Sequence, residues 1–118
     1  MKVLPCLALG FATAVRATSG AWAADSRPAG EVAKGKEVFQ YWCVACHGEG
    51  PMKPGTTALQ AKYNGKLPAR LEERLDLTPE LTKFFVRNGV NVMPPFRKTE
   101  ISDADLKALG AYLARSRP

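Results

Sequence analysis

Apolar positions recur along this chain at helical intervals, and no convincing alternation of apolar and polar residues marks a strand. Between Gly30 and His47 the apolar side chains are Val32, Val38, Phe39, Trp42, Cys43 and Cys46, with Ala33 and Gly35 as small positions. That spacing predicts a helix over about 31–46. Gly35 and Phe39 lie four apart on one face, and a glycine inside a helix costs about 1 kcal/mol against alanine unless close packing demands it. Gly35 therefore reads as a helix-crossing point.

A second helix is bounded by its own punctuation. Thr78 is the N-cap, Pro79 takes the first helical position, Glu80 lies in the first turn and Asn88-Gly89 closes it. The last helix begins at Ser102 as N-cap with Asp105 at the third position, and Ile101 is placed to pack on Leu106 as a hydrophobic staple. Its stripe of Leu106, Leu109, Tyr112 and Leu113 is predicted to cross the first helix at Gly35 and Phe39. A weaker helix is expected over about 68–75, and Gly48–Gly55 reads as loop. The expected fold class is all-α, with three to four helices.

The first residues follow a different rule. Lys2 precedes an apolar run from Val3 to Val15, Arg16 closes it, and small residues end in Ala21-Trp22-Ala23-Ala24. This is the pattern of a cleaved secretory signal peptide, residues 1–23, with cut after Ala23 or Ala24. A run of about a dozen apolar residues falls short of the ~20 that span a bilayer, so no permanent membrane span is expected. Residues 24–118 are then one small domain, exported to a bacterial periplasm. The chain's net charge of +6 falls to +4 when Lys2 and Arg16 leave, and the remaining bases are dispersed, so no nucleic-acid footprint is present.

Cysteine usage narrows the chemistry. Of three cysteines Cys6 leaves with the export segment, so Cys43, Cys46 and the single histidine, His47, stand together as C-x-x-C-H. A thioredoxin-type disulfide expects its pair after a strand of a βαβ unit, and none precedes Cys43. A structural zinc site needs four ligands, and only three cysteine or histidine residues remain. Covalent attachment of one haem c uses all three: cysteines at i and i+3 on a helical turn reach two vinyl groups of a porphyrin edge, and the histidine at i+4 is aimed at the iron. A domain of 95 residues has a thin core, which a large apolar ring would fill.

The second axial ligand is expected to be a methionine sulfur, and the domain holds Met52 and Met93. Met52 follows His47 by five positions in a turn-rich link too short to round the ring easily. Met93 precedes Pro94-Pro95, which bias it towards an extended backbone and bring no N–H beside a buried sulfur. The assignment is His47 and Met93. The competing arrangement leaves the iron five-coordinate, as in a sensor or peroxidatic haem.

The pattern Gly35, Phe39, Cys43-x-x-Cys46-His47, Met93-Pro94, Leu109-x-x-Tyr112-Leu113 resembles a class I c-type cytochrome over nearly the whole domain. The strings YWCVACHGEGPMKPGTTALQAKY, LDLTPEL, VRNGVNVMPPFRKTEISD and LGAYLAR are similar to the cytochrome c subunit of the 4-cresol dehydrogenase (hydroxylating) and eugenol hydroxylase flavocytochromes. That resemblance implies thioethers at Cys43 and Cys46, axial His47 and Met93, and no catalytic residue on this chain. It implies a larger flavoprotein partner carrying covalent FAD, which oxidises a 4-alkylphenol such as p-cresol through a quinone methide. Electrons would pass through this subunit to a soluble copper protein or another cytochrome. It further implies that a proline carbonyl, from Pro51 or Pro54, orients His47. A freely diffusing periplasmic monohaem cytochrome remains the alternative. Trp42 is expected to pack rather than conduct. Lys34, Lys36, Lys53, Arg97 and Lys98 are candidate steering charges, while Tyr63, Arg70 and Arg74 are explained equally by a solvated face.

Overall fold

The computed structural model describes residues 28–114, so the predicted export segment, with its cleavage site, lies outside the described residues. Five α-helices and one 3-10 turn follow in order: α1 (Ala29–Trp42), α2 (Val44–His47), α3 (Pro54–Tyr63), the turn Leu71–Glu73, α4 (Pro79–Asn88) and α5 (Asp103–Leu113). Among the described residues there is no strand, and no helix is long and apolar enough to cross a membrane. The fold is a small all-α one.

The capped helices form where their caps place them. Thr78 Oγ1 accepts from Leu81 N–H at 3.1 Å, opening α4, and Gly89 ends it. Ser102 Oγ accepts from Asp105 N–H at 3.0 Å, opening α5, and Ile101 and Leu106 both enter the core. Each such cap satisfies a backbone donor that the helix itself leaves free, an effect of about 1 kcal/mol.

The core is the crossing of α1 and α5, extended by α4. A Cβ placed on Gly35 would lie 2.0 Å from the Ala108 carbonyl oxygen, so the two backbones touch there. Around this point sit Phe39, Ile101 and Leu109, all fully buried, with Val38, Val86, Leu106, Tyr112 and Leu113. Burying each large apolar side chain contributes roughly 1.5–3 kcal/mol. The Phe39 and Tyr112 rings meet at 5.8 Å, and the Tyr112 hydroxyl donates to Glu72, tying α5 to the 3-10 turn.

Three expectations change. The first helix does not run through to residue 46: Cys43, at φ −110°, interrupts it and α2 restarts as a single turn. The stretch 68–75 forms only the 3-10 turn Leu71–Glu73, with Arg70 and Arg74 extended on either side. Arg74, 6% exposed, donates from Nε to Asp76 at 2.9 Å, and its guanidinium lies 4.7 Å from the Tyr63 ring centroid. Finally, the supposed loop 48–55 ends early, since α3 starts at Pro54; the all-α architecture is the one expected.

Candidate functional site

Cys43, Cys46 and His47 sit on consecutive backbone turns. The Cys43 carbonyl accepts from Cys46 N–H at 3.1 Å and from His47 N–H at 2.8 Å, so the break in α1 and the turn of α2 hold all three on one short scaffold. Both thiols are free; Cys43 is half-buried against the core and Cys46 exposed. Burial, with the neighbouring Cys46 adding to it, pushes the Cys43 thiol up to about 12.

The imidazole of His47 rests on α3. A Cβ on Gly55 would lie 2.6 Å from His47 Cε1 and 2.8 Å from Nδ1, so the ring occupies the space a side chain would take. Thr56 Oγ1 donates to the Gly48 carbonyl at 3.0 Å, pinning the start of α3 to the residue after the histidine. Desolvation lowers the His47 pKa, which favours the neutral imidazole that metal ligation requires. Its Nδ1 is buried and has no hydrogen-bond partner. Neither the Pro51 nor the Pro54 carbonyl accepts from it; contact with Gly55 supports the ring instead.

Met93 stands in a tight turn. Val90 N–H donates to the Met93 carbonyl at 3.0 Å and Met93 N–H returns a bond to Val90 at 2.9 Å, with Asn91 left-handed between them. Gly89, at φ +69°, has no room for a Cβ, which would lie 2.5 Å from the Met93 oxygen. Met93 packs on the same core cluster as Cys43, Trp42 and Phe96. Met52 does not: it is 94% exposed, at φ +61°.

The alternatives for the motif fare poorly. α1, not a strand, leads into Cys43, and among the described residues no three His, Cys, Asp or Glu side chains are assembled to hold a metal ion. Two free thiols beside a half-buried imidazole that desolvation keeps neutral are the donor set a covalently bound haem c uses.

The family model described as cytochrome C oxidase, cbb3-type, subunit III matches residues 30–113. The chain is also 32% identical over 92 residues to cytochrome c6 of Cyanidioschyzon merolae (strain NIES-3377 / 10D), covering 78% of this chain and 75% of that protein. The chain belongs to the class I c-type cytochromes. As a c-type cytochrome it carries one covalently attached haem c and transfers electrons.

Several features of this cytochrome escaped the sequence reading. Nothing singled out Gly55, although Pro54 before it and Asn64-Gly65 after Tyr63 are the usual start and stop signals of a helix. Among the steering charges, Lys34 pairs with Glu37 and Asp105, Arg97 with Glu100, and Lys98 with Asp103, which Arg87 shares.

Proposed function

We propose that Cys43 and Cys46 hold the haem by thioether bonds, that His47 and Met93 are its axial ligands, and that the chain is the electron-transfer subunit of a flavoprotein dehydrogenase. When bound, the haem iron supplies a one-electron couple. The polypeptide's part is to present a neutral imidazole, kept so by burial and braced by Gly55, and to hold a thioether sulfur in a tight turn followed by two prolines that have no N–H. Thioether ligation raises the potential of a haem, which suits a carrier that must oxidise a reduced flavin.

The observation that carries the ligand set is the shared scaffold of Cys43, Cys46 and His47, with Met93 packed on the same core while Met52 points to solvent. Replacing Met93 by Ala is expected to abolish the sulfur-to-iron absorption band and lower the reduction potential. An unchanged band refutes the assignment.

The dehydrogenase partner is supported by the similarity of the four strings quoted above to flavocytochrome subunits. In that role, residues 24–118 act as one domain in the periplasm after residues 1–23 are removed. Substrate chemistry on a 4-alkylphenol belongs to the flavoprotein, and a soluble copper protein or second cytochrome takes the electrons. Native purification with flavin and haem quantified in one fraction tests this. Stoichiometric FAD at moderate salt supports the subunit, and a haem-only monomer supports the freely diffusing carrier.

A further inference from the structure

The loop that carries Met93 leaves α4 at Gly89 and rejoins structured backbone at Phe96, and both polar backbone groups of Phe96 are held by the end of α4. Phe96 N–H donates to the Val86 carbonyl at 2.8 Å. Its carbonyl accepts from Arg87 Nη1 at 3.0 Å. The other end of the same guanidinium, Nη2, donates to Asp103 Oδ1 at 2.9 Å, in the first turn of α5. Asp103 in turn takes Lys98 Nζ at 2.7 Å, two residues past Phe96. The Arg87 side chain is only 17% exposed, so its contacts are partly shielded from water.

We propose that Arg87 is a positioning residue for Met93: its guanidinium, braced by Asp103, locks Phe96 and thereby keeps the methionine-bearing loop closed over the haem iron. This rests on Met93 as the iron's ligand. The mechanical case is that Pro94 and Pro95 have no N–H, so between the Val90–Met93 turn and Phe96 the backbone has no donors with which to anchor itself. Restraint on that side of Met93 falls to Phe96. Its ring reinforces the lock by stacking edge-on against Trp42, 5.8 Å between centroids, immediately before Cys43. Arginine suits the task because its planar fork addresses a carbonyl and a carboxylate at once, whereas a lysine ammonium is a single point charge.

A rival account makes Arg87 only a brace between α4 and α5. The two differ in what opens the loop under native conditions. Imidazole, added to the oxidised holoprotein, binds the iron only when the methionine leaves, and loss of the sulfur-to-iron band follows the event. Arg87→Met removes both donors and keeps the stem. It is expected to speed imidazole binding on the order of tenfold or more, as loss of a hydrogen bond from a charged group implies. Asp103→Asn, which leaves the Phe96 contact in place, is expected to have a smaller effect. Lys107→Met breaks an ion pair to Glu31 between α5 and α1, away from the loop, and is expected to leave the rate unchanged.

Should Arg87→Met fail to fold, Arg87→Lys serves in its place, and an intermediate acceleration is expected. A rate within about twofold of wild type in whichever Arg87 variant folds overturns the proposal, since that is the scatter of an ordinary surface change. So does acceleration in Arg87→Met, Asp103→Asn and Lys107→Met that merely tracks their denaturation midpoints. Met93→Ala separates the two layers: a band that survives it removes the ligand reading and the lock together. A band lost there while the Arg87 variants bind imidazole at the wild-type rate removes the lock alone.

Discussion

Gly35 and Ala108 meet backbone to backbone, with 2.0 Å between the Ala108 carbonyl oxygen and the point where a Cβ on Gly35 would stand. The same imagined atom would lie 2.6 Å from Tyr112 Cβ. Neither neighbour is the free end of a flexible side chain, so the helices must separate to admit a methyl group. Gly35→Ala is expected to lower the stability of the holoprotein by about 1–3 kcal/mol or more, read as a lower guanidinium midpoint. Gly30, in the same helix, has nothing within 4 Å of its imagined Cβ. Gly30→Ala is expected to be neutral or stabilising by roughly 0.4–1 kcal/mol. Equal effects at the two positions would refute the close crossing.

The second glycine contact concerns the site directly. Gly55→Ala would place a Cβ 2.6 Å from His47 Cε1. The imidazole or the start of α3 must give way, at a cost of about 1–3 kcal/mol. Because the displaced group is the proposed axial ligand, the reduction potential should move as well. A variant with wild-type stability and wild-type potential would show that the ring is not held by this contact.

Acid should act through the ion pairs. Hydrogen bonds from Arg74 hold the Asp76 carboxyl below the usual carboxylate range, and those from Lys98 and then Arg87 do the same for Asp103. A carboxyl that titrates lower folded than unfolded stabilises the fold fully above its unfolded value, roughly pH 4, and loses that contribution as pH falls through the folded one. Urea midpoints are therefore expected to be insensitive to these groups between about pH 5 and 7 and to fall below about pH 4. Asp76→Asn should be less stable at neutral pH and show a shallower acid limb. An acid limb unchanged in that variant would mean the Arg74 pair is energetically idle.

Removing the haem should not loosen the molecule evenly. α3 has no buried residue of its own, whereas α5 buries seven. Haem-free polypeptide is expected to be poorly packed, with amide exchange in α3 fast and whatever protection survives concentrated where α1 meets α5. A cooperative melt with uniform protection across α3 and α5 would contradict this.

What could be read in advance depended on how local its cause was. Thr78-Pro79 and Ser102-x-x-Asp105 are caps written within four residues, so α4 and α5 were legible to the residue at their starts. The Gly35 crossing followed from one small residue on a helical face. By contrast the apolar spacing runs on past Trp42, and nothing local announces the break at Cys43. α3 hid because helix periodicity is visible only where one face is buried against protein, and α3 buries no residue. The site divides the same way. C-x-x-C-H is contiguous and declared its chemistry, while the support from Gly55 and the reach of Arg87 to Phe96 and Asp103 depend on chain segments that only folding brings together. Of the steering candidates, only the Lys34 contact with Asp105 has that character; Arg97 and Glu100 are three residues apart, and Lys34 and Glu37 likewise.

The meeting of α1 with α5 also sets an order of events. Gly35 cannot find Ala108 until almost all of the described chain has been synthesised and delivered, so this polypeptide has no means of closing its core from the front end as it emerges. Cys43 and Cys46, the proposed thioether residues, thus remain approachable on an open chain for the whole interval before the final helix arrives.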